Sequence, residues 1–481
     1  MIEYKSSQTR RRILLIKTIQ TLNNIAWGPW MLILLVGTGV YLTVLLKGLQ
    51  FHKFIYALKN TIGKIFVKAE AKEGEITPFQ AVSTALAATV GTGNIAGVTG
   101  AIAIGGPGAV FWMWISAILG MATKYAEIVL AVAYREKNKN GDWTGGPMYY
   151  IKNGLDKKFH FLAVFFSILA AIAAIGTGGM TQINTIVTAL NTSFISFGMN
   201  LPTMTIFNQT FYVSSLIIGI LLAGVVGLVL FGGIKRIGAV AEKVVPFMAV
   251  LYIFLAIILM ISNAQYLDDI LMMIFKGAFN AKAVLGGSVG IVILTTIRNG
   301  VGRGVFSNEA GLGTAPMAHA LTSETNPIKQ GMYGIFEIFM DTIIICTLTA
   351  MIVLCGYYNG VSISWGANAG VELVSAGIST LLGAKLGSTI ISISITLFAL
   401  STMLCWALYG ARCCSFLLGE KSEKVYEMIF IFFIVVGACL KLDIVWLIAE
   451  TFNGFMAIPN LIALLLLSGK VKQLTTEFFD K

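Results

Sequence analysis

Charge is scarce in this chain: 12% of its 481 residues are Asp, Glu, Lys or Arg, while 57% are hydrophobic. A soluble globular domain carries about twice that charged fraction, so the composition excludes one. Short segments of alternating polarity are also missing, which excludes a transmembrane β-barrel. The three histidines, His52, His160 and His319, stand apart from one another without an HExxH pattern, and no CxxC occurs. Zinc hydrolysis and a paired-cysteine metal site therefore have nothing to build on, and no enzyme activity is expected. The six cysteines, Cys346, Cys355, Cys405, Cys413, Cys414 and Cys439, lie in or beside apolar segments and read as small core residues. Arg10-Arg11-Arg12 leads into an apolar run past Trp27 and Trp30 that lacks a small-residue cleavage site, so the first span is expected to stay in the membrane.

What the chain has is a succession of apolar stretches, each near the roughly 20 residues a helix needs to cross a bilayer. With a mean hydropathy of +0.82, the pattern predicts an all-α polytopic membrane protein. Its eleven spans are 25–46, 77–104, 107–134, 159–190, 211–231, 240–262, 288–320, 331–357, 387–412, 425–440 and 442–468. Residues 363–384 read as a short helix outside the membrane. The formal charge of +11 would suggest nucleic acid for a soluble chain, but here the cations sit in loops and are expected to set topology. Loops 47–76, 135–158, 232–243, 321–330 and 412–424 with the C-terminal tail carry 22 Lys and Arg, and the opposite loops carry four. The positive-inside rule then puts the C-terminus in the cytoplasm and, with eleven spans, the N-terminus outside, although the basic N-terminal tail argues the other way.

The second and seventh spans are overlong and glycine-rich, as broken helices are. Treating them as equivalent divides the chain into a tail, peripheral helix and basic loop (1–76), five-helix units at 77–262 and 288–468, and a cytoplasmic tail (469–481). Two such units crossing in opposite senses are inverted repeats, whose broken first helices meet at a midplane binding site.

In the first break, Gly91-Thr92-Gly93-Asn94, unwinding frees N–H groups at the start of a half-helix, where a carboxylate is favoured. The preceding half-helix frees the carbonyls of Ala87, Thr89 and Val90, hard neutral oxygens suited to Na⁺, and the Asn94 amide can serve either ligand. Close helix packing through small residues is the competing explanation. A dinucleotide fingerprint fails, because no soluble strand precedes these glycines and no acid follows about 20 residues later. The second break, Ser307 to Gly313, puts Glu309 deep in the membrane, where a carboxylate costs roughly 2.5–3.5 kcal/mol on insertion scales. Glu309 either meets a ligand or locks the break, by accepting freed N–H groups or by pairing with Arg303. Gln182 is a lone amide in the fourth span, and Ser401 and Thr402 offer hydroxyls one turn from Trp406; each could equally serve packing. Lys124 and Glu127 fall near a span end, where Lys can snorkel and Glu can face the interface. Glu337, Asp341 and Glu450 could form a proton or gating network, or pair between helices.

GTGNIAG at 91–97, GGPGAVFWMW at 105–114, KYAE at 124–127, GGPMYYI at 145–151, GVFSNEAGLG at 304–313 and STMLCW at 401–406 together resemble the alanine/glycine:cation symporters. The resemblance runs from the Trp27-Gly28-Pro29 region through the eleventh span; the extension around Arg10–Arg12 departs from it. It implies a LeuT-type inverted-repeat fold preceded by one extra helix. Asn94 and Ser307, with Thr89, would fall near a first sodium position, and Ala87, Val90, Ser401 and Thr402 at a second. Gly91, Thr92 and Gly93 backbone, with Asn94 and Gln182, would hold the substrate's polar end, while Phe306 and Trp406 would limit its side chain. The implied activity is sodium-driven uptake of alanine or glycine across the plasma membrane by alternating access, with no cofactor. Proton coupling, or a different small solute, is the alternative within the same fold. A channel or membrane-embedded enzyme would need pore-lining charge rings or a catalytic set that the sequence does not offer.

Overall fold

The computed structural model describes residues 16–61, 63, 71, 74–139, 141–206, 209–280, 289–367, 369–440 and 443–480, with side chains at 289–292, 443 and 444 left aside. Among them, eight helices are long and apolar enough to cross a membrane, or nine when one bent pair counts as a single span. The chain is a helical multi-pass membrane protein, but the expected count of eleven is not reached. The two that fall short are charged: Val289–Asn308 carries Arg298 and Arg303, and Ser422–Cys439 carries Glu423, Lys424 and Glu427.

Helix α1 (Pro29–Leu45) starts on a proline, whose missing N–H is no loss in a first turn. It is peripheral, with Ile33 and Val44 over 70% exposed as lipid-facing side chains would be. The bent pair is α2 (Pro78–Thr89) and the stretch Thr92–Gly105, which contains α3 (Ala96–Gly105), related by 55°. Thr77 and Gln80 form a reciprocal capping box that fixes where α2 begins. Helix α4 (Ala109–Ala133) runs through the interior, and His160–Ala173 (α5) and Thr181–Ser196 (α6) make one span joined by a π-helical turn at Ala174–Met180. Val213–Leu230 (α7) and Gly233–Ser262 (α8) follow, with Leu228, Val250 and Ile261 exposed.

The second broken helix is α9 (Val289–Asn308) followed, after six residues, by the single turn α10 (Ala315–His319). Pro327–Ile338 (α11) and Thr347–Tyr358 (α12) flank a second π-helical turn at Phe339–Cys346. The expected short helix at 363–384 starts later than read, at Val371, and ends at Gly383, where a φ of +77° turns the chain into a second helix, the ninth span; the two segments together are α13 (Val371–Leu418). Ser422–Cys439 (α14) and Asp443–Phe479 (α15) complete the bundle.

The loops gather at two ends. At one, Ile76 and Thr322 form a parallel bridge, Arg135 donates to the carbonyls of Ala320, Thr322 and Glu324, and Trp143 bonds Glu75. These contacts tie the starts of α2 and α11 together. At the other end, Asn359 bonds Asn263 and Tyr266 stacks on Tyr358. The first set are loops that the charge count puts on a single side, and the second set belong to the opposite group.

Candidate functional site

The two breaks adjoin in the middle of the bundle. After Thr89 the helix stops at Val90 (φ −78°, ψ 85°). The Asn94 Oδ1 then accepts from the freed Gly91 N–H at 2.9 Å, and Asn94 N–H donates back to the Gly91 carbonyl at 3.3 Å. Backbone that leaves a helix inside a bilayer needs such internal partners. In the second break, Glu309 has φ +55° and Gly311 and Gly313 have φ +87° and +83°. The left-handed region costs a non-glycine residue about 1–3 kcal/mol where the surroundings hold it there, and such strain gathers at working sites. A Cβ added to Gly93 would lie 3.7 Å from the Phe306 ring and from Ser307 Cα, so the breaks pack directly on one another.

Between them is a small cavity lined by Gly91, Gly93, Gln182, Phe306, Glu309, Thr402 and Trp406. Phe306 and Gly93 also line a wider vestibule that holds Thr92, Arg303 and Glu450, and so separate the two spaces. Trp406 is 2% exposed, and its indole N–H donates to Glu309 Oε1 at 3.1 Å. Its position depends on Gly178, where a Cβ would come within 2.1 Å of Trp406 Cβ. Gly91 is equally constrained: a Cβ there would meet Thr402 Oγ1 at 2.5 Å and Gln182 Oε1 at 3.6 Å.

The expected second sodium set is brought together in part. Thr402 Oγ1 donates to the Ala87 carbonyl at 3.0 Å, which joins α13 to the end of α2. Val90 is buried next to them in sequence, and the Ser401 hydroxyl bonds Phe398 O at 2.8 Å beside the Met248 sulfur. The expected first set centres on a residue that sequence reasoning did not assign to it. Asp341, in the π-helical turn, accepts from Asn94 Nδ2 at 2.6 Å through Oδ1 and from Ser307 Oγ at 3.0 Å through Oδ2. Thr342 Oγ1 also donates to Oδ2 at 2.7 Å. Thr89, by contrast, turns its hydroxyl back to Ala85 O at 3.2 Å. An acid inside a span was the available signal for Asp341; its partners lie about 34 and 247 residues away in sequence.

Three expectations for charged residues are corrected. Lys124 neither snorkels nor reaches an interface: it is wholly buried, and its Nζ lies 3.1 Å from Glu337 Oε1. Glu127 is equally buried and accepts from Asn460 Nδ2 at 2.6 Å and from the Gly313 N–H at 3.1 Å. An ion this deep is tolerable only when paired and hydrogen-bonded, and α4 is an interior helix. Arg303 does not pair with Glu309; it reaches Glu450 Oε1 at 3.0 Å across the vestibule. The break is locked instead by Glu127, by Asn308 Oδ1 on Ala310 N–H at 3.0 Å, and by Asn460 on the Gly311 carbonyl at 2.8 Å. Glu309 accepts from Thr314 and Trp406. His319, isolated in sequence, bonds Glu337 at 3.2 Å and Gln330 at 2.8 Å.

Two broken helices facing each other over a polar cavity within a helical membrane bundle are the architecture of a secondary transporter. The solved structure of MhsT in complex with L-phenylalanine superposes with a TM-score of 0.55, covering 84% of this chain and 99% of that one at 13% identity, which establishes a LeuT-type fold. The sodium/alanine symporter AgcS of Methanococcus maripaludis is 42% identical over 96% of this chain and 97% of its own length. An uncharacterized transporter of Haemophilus influenzae is 40% identical over 96% of both. A probable sodium/glutamine symporter, GlnT of Bacillus subtilis, is 37% identical over 93% of this chain and 87% of its own. The family model described as the sodium:alanine symporter family matches residues 12–481, and the chain belongs to that family of membrane transporters.

Proposed function

We propose that the chain couples inward sodium movement to uptake of small neutral amino acids, alanine and glycine, by alternating access. The carrying observation is the cavity between the breaks: backbone at Gly91 and Gly93, a polar wall from Gln182, and two aromatic walls, Phe306 and Trp406, which confine the side chain. Sodium is cargo in this reading. One ion is held by Ala87, Val90, Ser401 and Thr402, and another by Asn94 and Ser307 with help from Thr89. Residues 77–262 and 288–468 act as inverted repeats that rock about the site, with the C-terminus cytoplasmic and the N-terminus outside. A tenfold sodium gradient supplies about 1.4 kcal/mol and 100 mV roughly 2.3 more, so one ion sustains a ~500-fold solute gradient.

The test is uptake of labelled alanine and glycine into proteoliposomes under an imposed sodium gradient. Accumulation above the external concentration is expected. Uptake that ignores sodium but follows a proton gradient would overturn the cation assignment, and transport of neither solute would overturn the substrate assignment. A larger neutral amino acid is a second reading, favoured by the probable sodium/glutamine symporter among the relatives. Competition by glutamine, stronger than that by alanine, would decide for it.

A further inference from the structure

Thr177 lies in the π-helical turn between α5 and α6, and one residue there anchors two amides from different parts of the chain. Its carbonyl accepts from Gln182 Nε2 at 3.0 Å, and its hydroxyl accepts from Asn453 Nδ2 at 2.9 Å. Gln182 is on α6, and Asn453 is on α15. Both amides are thus held by their nitrogen ends, with their oxygens left over. Gln182 Oε1 and Asn453 Oδ1 are buried atoms without a hydrogen-bond partner among the described residues, on side chains 5% and 1% exposed. Both residues line the cavity between the breaks.

Buried acceptors are satisfied in the great majority of cases, so two orphans on a single cavity call for a donor from outside the chain. The Glu309 carboxylate lines the same cavity, but its two oxygens are engaged by Trp406 and Thr314. It contributes negative charge there, while the free lone pairs belong to the amides. A primary ammonium, with three N–H donors and a positive charge, matches two neutral carbonyl oxygens beside a carboxylate.

We propose that Gln182 Oε1 and Asn453 Oδ1 form the ammonium subsite for the transported amino acid, with Thr177 as the positioning residue that aims both. The assignment rests on the proposed amino-acid uptake and fixes its polarity: the ammonium lies toward α15, and the carboxylate toward the backbone of the first break at Gly93. A π turn suits this role, since the widened turn is often found at functional sites.

The experiment measures sodium-dependent binding of alanine, glycine and N,N,N-trimethylalanine to the purified full-length chain and its variants. The trimethyl compound keeps the charge and loses every N–H. Asn453→Ala should raise the half-saturating concentrations of alanine and glycine by a similar ~10–100-fold, the weight of a charge-assisted hydrogen bond. It should also shrink the wild-type preference for alanine over the trimethyl compound, and leave the sodium requirement at saturating alanine unchanged. Asn453→Asp keeps an acceptor in place, and the Thr177 hydroxyl can reverse to donate to it. That variant should stay within about threefold of wild type, which guards against a merely misfolded alanine variant. An unchanged alanine affinity in Asn453→Ala, or a shift in sodium rather than alanine affinity, would overturn the assignment. Wild-type chain that binds no alanine in sodium would overturn the uptake reading and the assignment together, whereas binding in wild type with indifferent Asn453 variants would overturn the assignment alone.

Discussion

Asn94 Nδ2 donates to Asp341 Oδ1 at 2.6 Å, joining the first break to the π-helical turn between α11 and α12. Ser307 of the second break bonds the other oxygen of the same carboxylate. One buried acid therefore touches both broken helices, and a movement of either changes its surroundings.

Asp341→Asn keeps the shape and removes the charge next to Asn94 and Ser307. If this cluster carries a sodium ion, the half-saturating sodium concentration should rise tenfold or more, with a smaller change in alanine affinity at saturating sodium. Sodium titrations of alanine binding measure both. An unchanged sodium requirement would remove Asp341 from the cation path.

Lys124 and Glu337 form a wholly buried ion pair at 3.1 Å. Removing one partner from such a pair typically costs about 3–5 kcal/mol, because the other charge is stranded, while replacing both by apolar groups can be nearly neutral. Lys124→Met alone should thus lower thermal stability in detergent markedly, and Lys124→Met with Glu337→Leu should recover much of the loss. Melting curves of the two variants check this. Equal destabilisation by both would show that the pair contributes through packing rather than charge.

Trp406 closes the cavity and fits only because residue 178 is glycine. Trp406→Leu should admit larger neutral amino acids as competitors of alanine uptake. Gly178→Ala should instead push the indole into the cavity and weaken alanine binding by at least tenfold. Unaltered selectivity in Trp406→Leu would take the indole out of the specificity wall.

Arg303 and Glu450 pair at 3.0 Å in the vestibule, with their side chains 28% and 23% exposed. A partly solvated pair adds little stability, so Arg303→Ala should melt close to wild type. Because the pair spans the passage to Phe306, the same variant should speed exchange of bound alanine. The double charge swap, Arg303→Glu with Glu450→Arg, should restore the wild-type rate. Exchange at the wild-type rate in Arg303→Ala would rule out a gating role.

Much of this architecture was legible in the chain because membranes write local rules. Hydropathy located most of the spans, and glycine within an apolar stretch located both breaks, since each violates helix propensity in a setting where unsatisfied backbone is costly. What the sequence hid was pairing across distance. Glu127 and Asn460 lock the second break from two other helices, and Asn453 shares Thr177 with Gln182 across 276 residues. Lys124 looked like a snorkelling end residue because hydropathy gives depth along a helix but not which neighbours surround it. The two π-helical turns were invisible for a related reason: a residue added to a helical turn leaves composition unchanged.

Sodium coupling of a small amino acid is tested most directly by counterflow. Proteoliposomes loaded with unlabelled alanine are diluted into trace labelled alanine, with sodium or with choline on both sides. An alternating-access symporter predicts a transient overshoot of label in sodium and none in choline. An overshoot of equal height in choline, or none in either medium, would contradict the coupling of the two ligands at the paired breaks.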